Sequence, residues 1–408
     1  MKILLIDVYN YNKGGAETVC FNTGKLLEKQ GHEVIYFTLK WKNNLKSKQD
    51  EYFPESKETR KGMFRNAVNL LFYFYNIEAA RQLKRLVEAE KPDIAHIHLM
   101  WGQHSCSILP VLKENHIPIV YTVHDYRLVC PAYTFKNGNN MVCEKCKGKH
   151  FYKCITNKCT KGSRFLSFVM AAEMYFRNTF FNPVNYFNGL IYVSDFAKMI
   201  DEKYMPRLKT IPSIRLYNFT LKKPDSQLPQ GKYLLFFGRL SYEKGINTLL
   251  NAIKGTDVEL KIVGTGPLEK ELKDMSVADR LNVNFLGYKS GTELDNLIQQ
   301  ALFVVVPSEW YENNPMTIVE SYTLGTPVIG ANIGGIPEII QVGRTGFLFE
   351  SNNISSLRDT IMNACQITGN DYKSLRSNCL EYANSNFNKD TYLEKLLSFY
   401  KQIKNSVL

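Results

Sequence analysis

The sequence predicts an α/β protein built from two domains, each with a parallel β-sheet covered by helices. The chain has 408 residues, which is long for one hydrophobic core and sufficient for two domains of about 200 residues each. Short apolar runs alternate with helical patterns along both halves, as is typical of parallel sheets with helices on both faces. Residues 218–231 are polar, contain two prolines and precede a new strand pattern, so we expect the domains to join there.

The elements of the first half follow from the spacing of its apolar residues. Apolar runs of strand length predict strands at residues 2–8, 34–39, 93–98, 117–124 and 190–194. Longer segments with helical periodicity predict helices at residues 15–30, 66–90 and 163–181. We therefore expect a first domain at residues 1–217, with a cysteine-rich insert at residues 127–164.

The second half repeats this scheme. Strands are expected at residues 233–239, 260–264, 283–287, 303–307, 327–331 and 346–349. Helices are expected at residues 268–273, 293–301, 316–324 and 357–364. This predicts a second domain at residues 218–388. Residues 390–405 have the apolar spacing of an amphipathic helix, and we expect the segment 389–408 to pack back on the first domain.

The excess positive charge lies entirely in the first half. Residues 1–212 contain 31 Lys and Arg against 19 Asp and Glu, whereas residues 213–408 contain 20 of each. A basic half attracts an anionic partner such as nucleic acid, anionic lipid or a phosphorylated acceptor. Solubility alone also accounts for a modest excess of charge.

Two segments of the basic half are rich in aromatic residues, at residues 69–77 and 164–181. Helices with basic and aromatic side chains can lie on an anionic membrane surface, although buried core helices have a similar composition. No apolar run reaches 18 residues, so we expect no spanning helix. The N-terminal run meets Asp7 too early for a signal peptide. We expect a cytoplasmic protein, with peripheral attachment to the inner face of the plasma membrane as a further hypothesis.

Three motifs follow predicted strands, where ligands of open α/β sheets bind. The first has Gly14 and Gly15 before a helix, a place where backbone N–H groups can approach an anion. It lacks the G-x-G-x-x-G pattern of dinucleotide-binding proteins, which disfavours a nicotinamide enzyme. The second places Arg239 and Lys244 on the loop after a buried strand. Two cations at that position suit a diphosphate, although solvated surface cations give the same pattern.

The third motif covers residues 307–326 and begins where a β-branched strand ends. Glu312 lies in the loop and Glu320 lies on the following helix. The N–H groups of Met316 and Thr317 belong to the first helical turn and point to an anion at the helix N-terminus. A carboxylate such as Glu320 beside that anion could accept hydrogen bonds from both hydroxyls of a ribose.

Taken together, these motifs resemble the family 4 retaining glycosyltransferases with the GT-B fold. The matching pieces are Gly14-Gly15, His124-Asp125, Gly238-Arg239, Lys244-Gly245, residues 263–267, residues 285–287 and the Glu312 and Glu320 pair. They occur in the family's order over essentially the whole chain. The resemblance implies two Rossmann-like domains that face each other across a cleft, the first binding the acceptor and the second binding a nucleotide sugar.

The resemblance also implies roles for individual residues. Arg239 and Lys244 would bind the donor diphosphate, and Glu320 would hold the ribose. Glu312 and His124 would lie at the donor sugar. The expected catalytic residues are therefore Arg239, Lys244, Glu312 and His124. No catalytic metal is implied, because in such enzymes the leaving phosphate takes the acceptor proton on the same face and the anomeric configuration is retained.

Further donor contacts are implied around this set. The amides of Gly15, Met316 and Thr317 would support phosphates or sugar hydroxyls, and the turns at Gly264 and Tyr288 would flank the base. Asn314 is expected in the same loop as a donor-binding residue. The loop departs from the family, which often has small glycine-containing residues after the first glutamate. Here Asn313, Asn314 and Pro315 follow, and Pro315 has no N–H to donate.

Five of the nine cysteines fall between residues 130 and 159. In a cytoplasmic protein such a cluster, with a Cys-x-x-Cys pair, indicates structural zinc rather than disulfides. A subset of the resembled family carries a similar insert, which implies Cys130, Cys143, Cys146 and Cys159 as ligands, with Cys154 as the alternate. Free thiols in a loop and an iron–sulfur cluster are the other interpretations.

We therefore predict a retaining glycosyltransferase that moves a sugar from a nucleotide sugar, with a UDP-sugar favoured. The expected acceptor is a glycan or a polyprenyl-diphosphate-linked glycan in bacterial surface polysaccharide synthesis, such as capsule or lipopolysaccharide. One alternative is an enzyme similar to UDP-N-acetylglucosamine 2-epimerase, which also binds a nucleotide between two domains. A nucleic-acid-binding protein fits the charge and the cysteines, but the neutral second half and its phosphate-type motifs oppose it. We expect no nucleic-acid partner.

Overall fold

The computed structural model describes residues 1–11, 13–224 and 231–407. The chain forms two compact units. The first contains Met1–Asn139, Cys143–Leu216 and Lys389–Leu408, and the second contains Asn140–Val142 and Tyr217–Asn388. Asn12 of the glycine motif and residues 225–230 of the expected linker lie outside the described residues.

The first unit contains a six-stranded parallel sheet in the order β2-β1-β3-β4-β5-β6. Its strands are β1 (Lys2–Ile6), β2 (Glu33–Phe37), β3 (Ile94–Ile97), β4 (Ile119–Val123), β5 (Gly189–Tyr192) and β6 (Ser213–Arg215). Its helices up to the joint are α1 (Gly15–Lys29), α2 (Arg65–Phe74), α3 (Ile77–Glu90), α4 (Ile108–Glu114), α5 (Tyr152–Thr156), α6 (Arg164–Phe180) and α7 (Asp195–Tyr204). Apolar side chains fill β1, β3 and β4, which are buried on both faces as parallel strands require.

The prediction of a single helix at residues 66–90 is wrong, because the structure has two helices there, α2 and α3. Tyr75 has an extended backbone and ends α2. The Asn76 side chain then accepts a hydrogen bond from the Ala79 N–H and caps α3. An Asn cap satisfies one of the free N–H groups at the start of a helix. This cap favours the start of a new helix at Ile77, although the apolar periodicity continues from α2 into α3.

The second unit contains another six-stranded parallel sheet, in the order β12-β11-β10-β7-β8-β9. Its strands are β7 (Tyr233–Phe237), β8 (Leu260–Val263), β9 (Val283–Gly287), β10 (Ala301–Val306), β11 (Val328–Ala331) and β12 (Gly346–Phe349). Its helices are α8 (Ile246–Ile253), α9 (Glu269–Ala278), α10 (Gly291–Gln299), α11 (Met316–Thr323), α12 (Ile354–Cys365) and α13 (Gly369–Asn386). Two apolar clusters, one built around Leu249 and Leu260 and the other around Val319 and Tyr322, form its hydrophobic core.

The last helix, α14 (Lys389–Val407), belongs to the first unit. Tyr400 Oη lies 2.6 Å from His96 Nδ1, and Lys404 Nζ donates to the Asp93 carboxylate at 2.6 Å. A Cβ on Gly189 of β5 would lie 2.8 Å from the Phe399 ring, so this glycine permits the close approach of α14 to the sheet. Across the described residues, no helix has both the length and the apolar character needed to cross a membrane.

Candidate active site

In the second sheet the strand order reverses between β7 and β10, which are neighbours. Ligands of open parallel sheets bind outside the carboxyl ends of the strands at such a reversal. Gly238 and Arg239 follow β7, and the loop that contains Ser308 and Glu312 follows β10. The topology therefore brings the second and third sequence motifs to one edge of the sheet.

Lys244 and Glu312 form an ion pair at this edge. Lys244 Nζ donates to Glu312 Oε1 at 2.6 Å, and the Ser308 hydroxyl donates to the same oxygen at 2.8 Å. Burial alone would raise the pKa of Glu312, but the charge and hydrogen bond of Lys244 outweigh it and lower the pKa below its ordinary value. Glu312 is therefore a carboxylate at neutral pH, and it has a fixed orientation.

Glycines allow the loops of this edge to pack against each other. Gly245 has a φ of +67°, and a Cβ there would lie 1.8 Å from the Pro307 carbonyl oxygen. Gly264 has a φ of +132°, and its Cβ would lie 1.9 Å from the Gly238 carbonyl oxygen. Only glycine satisfies both demands, so the backbone positions of the loops after β7, β8 and β10 depend on these residues.

Three predicted donor residues follow consecutive strands at the same edge. Arg239 is exposed, and no ion pair of its guanidinium is found among the residues that the structure describes. The Gly264 N–H donates to the Gly287 carbonyl at 2.8 Å, which ties the turn after β8 to the turn after β9. Tyr288 follows directly and is 70% exposed. Arg239 and Tyr288 thus present an accessible guanidinium and an accessible aromatic ring at this edge.

Helix α11 begins at this edge with Pro315 as its N-cap. Met316 and Thr317 lie in its first turn, where N–H groups have no intrahelical acceptor. Asn314, which the sequence suggests as a donor-binding residue, is held by Asn218: its Oδ1 accepts from the Asn218 N–H at 2.8 Å. The side-chain amide of Asn218 also donates to the backbone carbonyl of Asn314 at 2.8 Å. Asn314 therefore fixes the loop before α11, and its contact with a donor stays a prediction.

Glu320 on α11 has partners that the sequence analysis missed. Lys222 Nζ lies 3.7 Å from Glu320 Oε2 and is hydrogen-bonded to the Asp295 carboxylate. Burial raises the pKa of Glu320, with Asp295 contributing in the same direction and Lys222 opposing it. Lys222 lies in the polar segment interpreted as a linker, and no motif in the sequence distinguishes it from a solvated lysine.

In the first unit, His124 follows β4 and is paired with His98, which follows β3. His124 Nε2 lies 2.9 Å from His98 Nδ1, and the two rings are stacked with centroids 5.1 Å apart. Burial lowers the pKa of His124 to about 3 and that of His98 well below its ordinary value. Both rings are neutral at physiological pH, so His124 can exchange hydrogen bonds but supplies no charge. The i, i+2 spacing of His96 and His98 at the end of a strand was the available signal for this histidine row.

The glycine motif of the first unit follows β1. Gly15 is the first residue of α1, and Gly14 before it has an extended backbone. Asp7 at the end of β1 is fully buried; burial, reinforced by the nearby charge of Glu17, raises its pKa well above the ordinary value. The Asp7 carbonyl is hydrogen-bonded to His104 at 2.9 Å. The structure therefore places the buried Asp7 and the half-buried Glu17 close to the predicted anion-binding turn.

The five cysteines of the insert lie close together. The Cys159 sulfur is hydrogen-bonded to the thiols of Cys154 and Cys143, which lower its pKa. Burial raises the pKa of Cys130 and Cys146 to about 12, with the nearby cysteines adding to the effect. Yet within the described residues no group of three or more His, Cys, Asp or Glu side chains is arranged to hold a metal ion. The structure brings the predicted ligands together without the geometry of a zinc centre.

Two family models match the chain. Residues 218–385 match the model described as "Glycosyl transferases group 1", and residues 13–146 match "Glycosyltransferase Family 4". The first match contains the edge with Arg239, Lys244, Glu312 and Glu320. The second contains Gly15 and His124. Both models describe glycosyltransferases, which favours this prediction over an epimerase or a nucleic-acid-binding protein.

Known proteins that are similar in sequence or in structure also support the prediction of a glycosyltransferase. An uncharacterised glycosyltransferase of Methanocaldococcus jannaschii is 26% identical over 363 residues, which cover 89% of this chain and 88% of the relative. A protein from the capsule (cps) region of Klebsiella pneumoniae is 24% identical over 84% of this chain and 88% of its own length. Among solved structures, the Anabaena protein HepE in complex with UDP-glucose superposes with a TM-score of 0.66 at 18% identity, over 98% of this chain and 100% of that chain. This likeness confirms the expected α/β architecture with two Rossmann-like units.

Proposed function

The chain belongs to the family 4 glycosyltransferases, and on that premise we propose that it transfers a sugar from a UDP-sugar to a glycan acceptor with retention of configuration. The observation that carries the proposal is the cluster of functional groups at the carboxyl edge of β7 and β10. There the Lys244–Glu312 pair, the exposed Arg239 and the start of α11 follow neighbouring strands.

The diphosphate of the donor is proposed to bind Arg239, Lys244 and the amides of Met316 and Thr317. Arg239 offers a planar fork of donors to phosphate oxygens, and Lys244 acts as a point charge. Lys244 already neutralises Glu312, so a diphosphate that binds beside this lysine does not meet an unpaired carboxylate. As the glycosidic bond to the leaving diphosphate breaks, these donors stabilise the charge that develops on it.

Glu320 is proposed to accept hydrogen bonds from the ribose hydroxyls. Lys222 lies beside its carboxylate and opposes the rise in pKa that burial causes. The ionised form is the one that accepts from two hydroxyl groups. Lys222 therefore acts as a positioning residue for the ribose, while Gly264 and Tyr288 follow strands on the side of the edge where the base would lie.

The donor sugar is proposed to contact Glu312 and His124, with the Gly15 amide supporting a phosphate or a hydroxyl. His124 is neutral, so it contributes directional hydrogen bonds. For transfer with retention, a hydroxyl of the acceptor attacks the anomeric carbon on the face from which the diphosphate leaves. The acceptor proton passes to the leaving phosphate oxygen, and no side chain has to act as the general base.

The acceptor is proposed to be a glycan or a polyprenyl-diphosphate-linked glycan used for a bacterial surface polysaccharide. The support for this is the capsule-region origin of the Klebsiella relative and the positive charge of residues 1–212. An anionic acceptor is attracted by a basic surface. The protein would then act in the cytoplasm at the inner face of the membrane.

The cysteine insert is proposed to hold a structural zinc ion through Cys130, Cys143, Cys146 and Cys159, with Cys154 as the alternate. The support is chemical: the sulfurs lie close together, and thiolates are the ligands that tetrahedral zinc prefers. The described thiols would have to rearrange to coordinate a metal. Zinc would stabilise the insert and would take no part in catalysis.

Calorimetric titration of the full chain with UDP, GDP and ADP tests the donor proposal. We expect UDP to bind most tightly, and Lys244→Ala and Glu320→Ala each to weaken binding by about tenfold to a hundredfold, because each removes a charged hydrogen-bonding partner. Lys254→Ala is the matched control: Lys254 is exposed and paired with Asp279, so its loss should not change nucleotide affinity. Failure of all three nucleotides to bind would refute the donor site.

A further inference from the structure

Helix α2 is apolar in sequence but contributes no buried residue to the core. Leu71 is 68% exposed, and Phe64, just before the helix, is 74% exposed. Met63 precedes Phe64 and is 93% exposed. A ten-residue helix with exposed leucines is costly to leave in water, so this surface requires an explanation beyond the packing of the first unit.

Helix α6 lies beside α2 and also exposes apolar side chains. Tyr73 of α2 donates a hydrogen bond to the sulfur of Met170 of α6, and the rings of Phe74 and Phe176 lie 5.8 Å apart. The two helices are therefore neighbours. On α6, Phe165 is 65% exposed and Phe168 is 55% exposed. We define the α2–α6 surface by its exposed apolar residues: Met63, Phe64, Leu71, Phe165 and Phe168.

The charges around the α2–α6 surface have one sign. Lys61, Arg65, Lys161 and Arg164 are all exposed, and residues 59–77 and 157–172 contain no Asp or Glu. The first carboxylate beyond them on α6, Glu173, is buried and paired with Arg177 at 3.4 Å. These four cations thus flank the apolar residues along the chain, and the two segments contain no carboxylate of their own.

We propose that the α2–α6 surface docks on an anionic lipid bilayer. Aromatic and aliphatic side chains would enter the interface between headgroups and acyl chains, and the lysines and arginines would bind lipid phosphates. A second copy of the chain is a poorer occupant, because the same surface would bring like charges together in a symmetric dimer. An anionic bilayer matches both the apolar residues and the cations.

The inference deepens the proposed function, because it would bring the first unit to an acceptor carried on a lipid. Only this suggested purpose of membrane docking rests on the proposed function; the docking itself does not. Binding to vesicles needs neither donor nor acceptor. A protein that binds nucleotide but not vesicles would refute this inference alone, and a protein that binds vesicles but no nucleotide would refute the donor site alone.

Vesicle flotation of the full chain tests the proposal. We expect flotation with vesicles of phosphatidylcholine and phosphatidylglycerol, little flotation with phosphatidylcholine alone, and weaker binding at high salt. Leu71→Ser with Phe168→Ser should lower the partition coefficient by about tenfold or more. The control, Met199→Ser with Val277→Ser, removes two similarly exposed apolar side chains elsewhere and should float like the wild type.

A second pair of variants addresses charge alone. Arg65→Ala with Arg164→Ala should lower the partition coefficient by about fivefold for each cation removed and should reduce its dependence on salt. The proposal would be overturned if the wild type does not float with anionic vesicles or if the serine variants float unchanged. It would also be overturned if light scattering shows a dimer that Leu71→Ser dissociates. Unchanged melting temperatures verify that the variants are folded.

Discussion

Replacement of Lys244 by methionine tests the electrostatic basis of the candidate site. Methionine preserves much of the length of the side chain but removes the charge that Glu312 requires. Glu312 would keep the hydrogen bond from the Ser308 hydroxyl at 2.8 Å and the Trp310 side chain, which also lowers its pKa. The variant therefore leaves a carboxylate in a buried position without its cationic partner.

The magnitude follows from the exposure of the two side chains. Removing one partner of a fully buried ion pair costs about 3–5 kcal/mol. The Lys244 side chain is 25% exposed and that of Glu312 is 8% exposed, so solvent screens the pair in part and we expect a loss of about 2 kcal/mol. In a unit of this size, that loss lowers the melting temperature by about 4–8 °C.

The loss of stability in Lys244→Met should depend on pH, and the pKa of Glu312 determines the direction of that dependence. In the wild type the pKa of Glu312 lies below its ordinary value of 4.5. Its stabilising contribution is therefore present above that value and is lost as pH falls through the folded-state pKa. In Lys244→Met the lysine no longer lowers the pKa, and burial raises it. The penalty at neutral pH then disappears as pH falls and Glu312 becomes protonated. The difference in melting temperature should narrow between neutral pH and about pH 5.

Thermal unfolding of the full chain at both pH values measures this effect. The set contains the wild type, Lys244→Met, Glu312→Gln and the double variant, in which the unpaired carboxylate is absent. We expect the double variant to be more stable than Lys244→Met at neutral pH. Lys254→Met, which breaks the exposed pair with Asp279, should cost less than about 1 kcal/mol at either pH. A pH-independent loss, or a double variant no better than Lys244→Met, would refute the reasoning.

Two further predictions concern loop geometry and the insert. Gly245→Ala should lower the stability by about 3 kcal/mol or more and abolish nucleotide binding, because the new Cβ would meet the Pro307 carbonyl. The control is Gly255→Ala, also at positive φ but without contacts within 4 Å, which should show only the backbone strain of about 1–2 kcal/mol. Equal losses of stability in the two variants would contradict this account. Metal analysis of reduced, chelator-free protein should find near-stoichiometric zinc that Cys143→Ser lowers and Cys365→Ser does not, whereas protein without metal would contradict the zinc proposal.

Much of the second unit could be predicted from the sequence because its site residues follow strands. The carboxyl ends of parallel strands lie at one edge of a sheet, so finding Arg239 after one strand and Glu312 after another was sufficient to place them together. The glycines between them, such as Gly245, are likewise recognisable as positions of unusual backbone conformation. For these residues, position along the chain and position in the fold are linked by topology.

Lys222 shows why the rest could not be predicted. It is 73 residues from Asp295 in the chain, and nothing in its local sequence indicates that a carboxylate of α10 and another of α11 lie beside it. The same holds for His98 and His124, which follow two separate strands and are 26 residues apart in the chain. Burial and pairing arise only after packing, and they determine both the pKa of Glu320 and the neutral state of the two histidines.

The charges of the candidate site argue for a division of labour between its cations. Lys244 is balanced by Glu312, and Lys222 lies between two carboxylates, Asp295 and Glu320. These lysines therefore orient carboxylates and add little net positive charge to the edge. Arg239 has no such balancing anion among the described side chains, and the first turn of α11 adds the positive end of a helix dipole. Under the proposed function, attraction of a diphosphate would therefore depend mainly on Arg239 and the helix end, whereas the paired lysines would orient the carboxylates that are proposed to hold the ribose and the sugar.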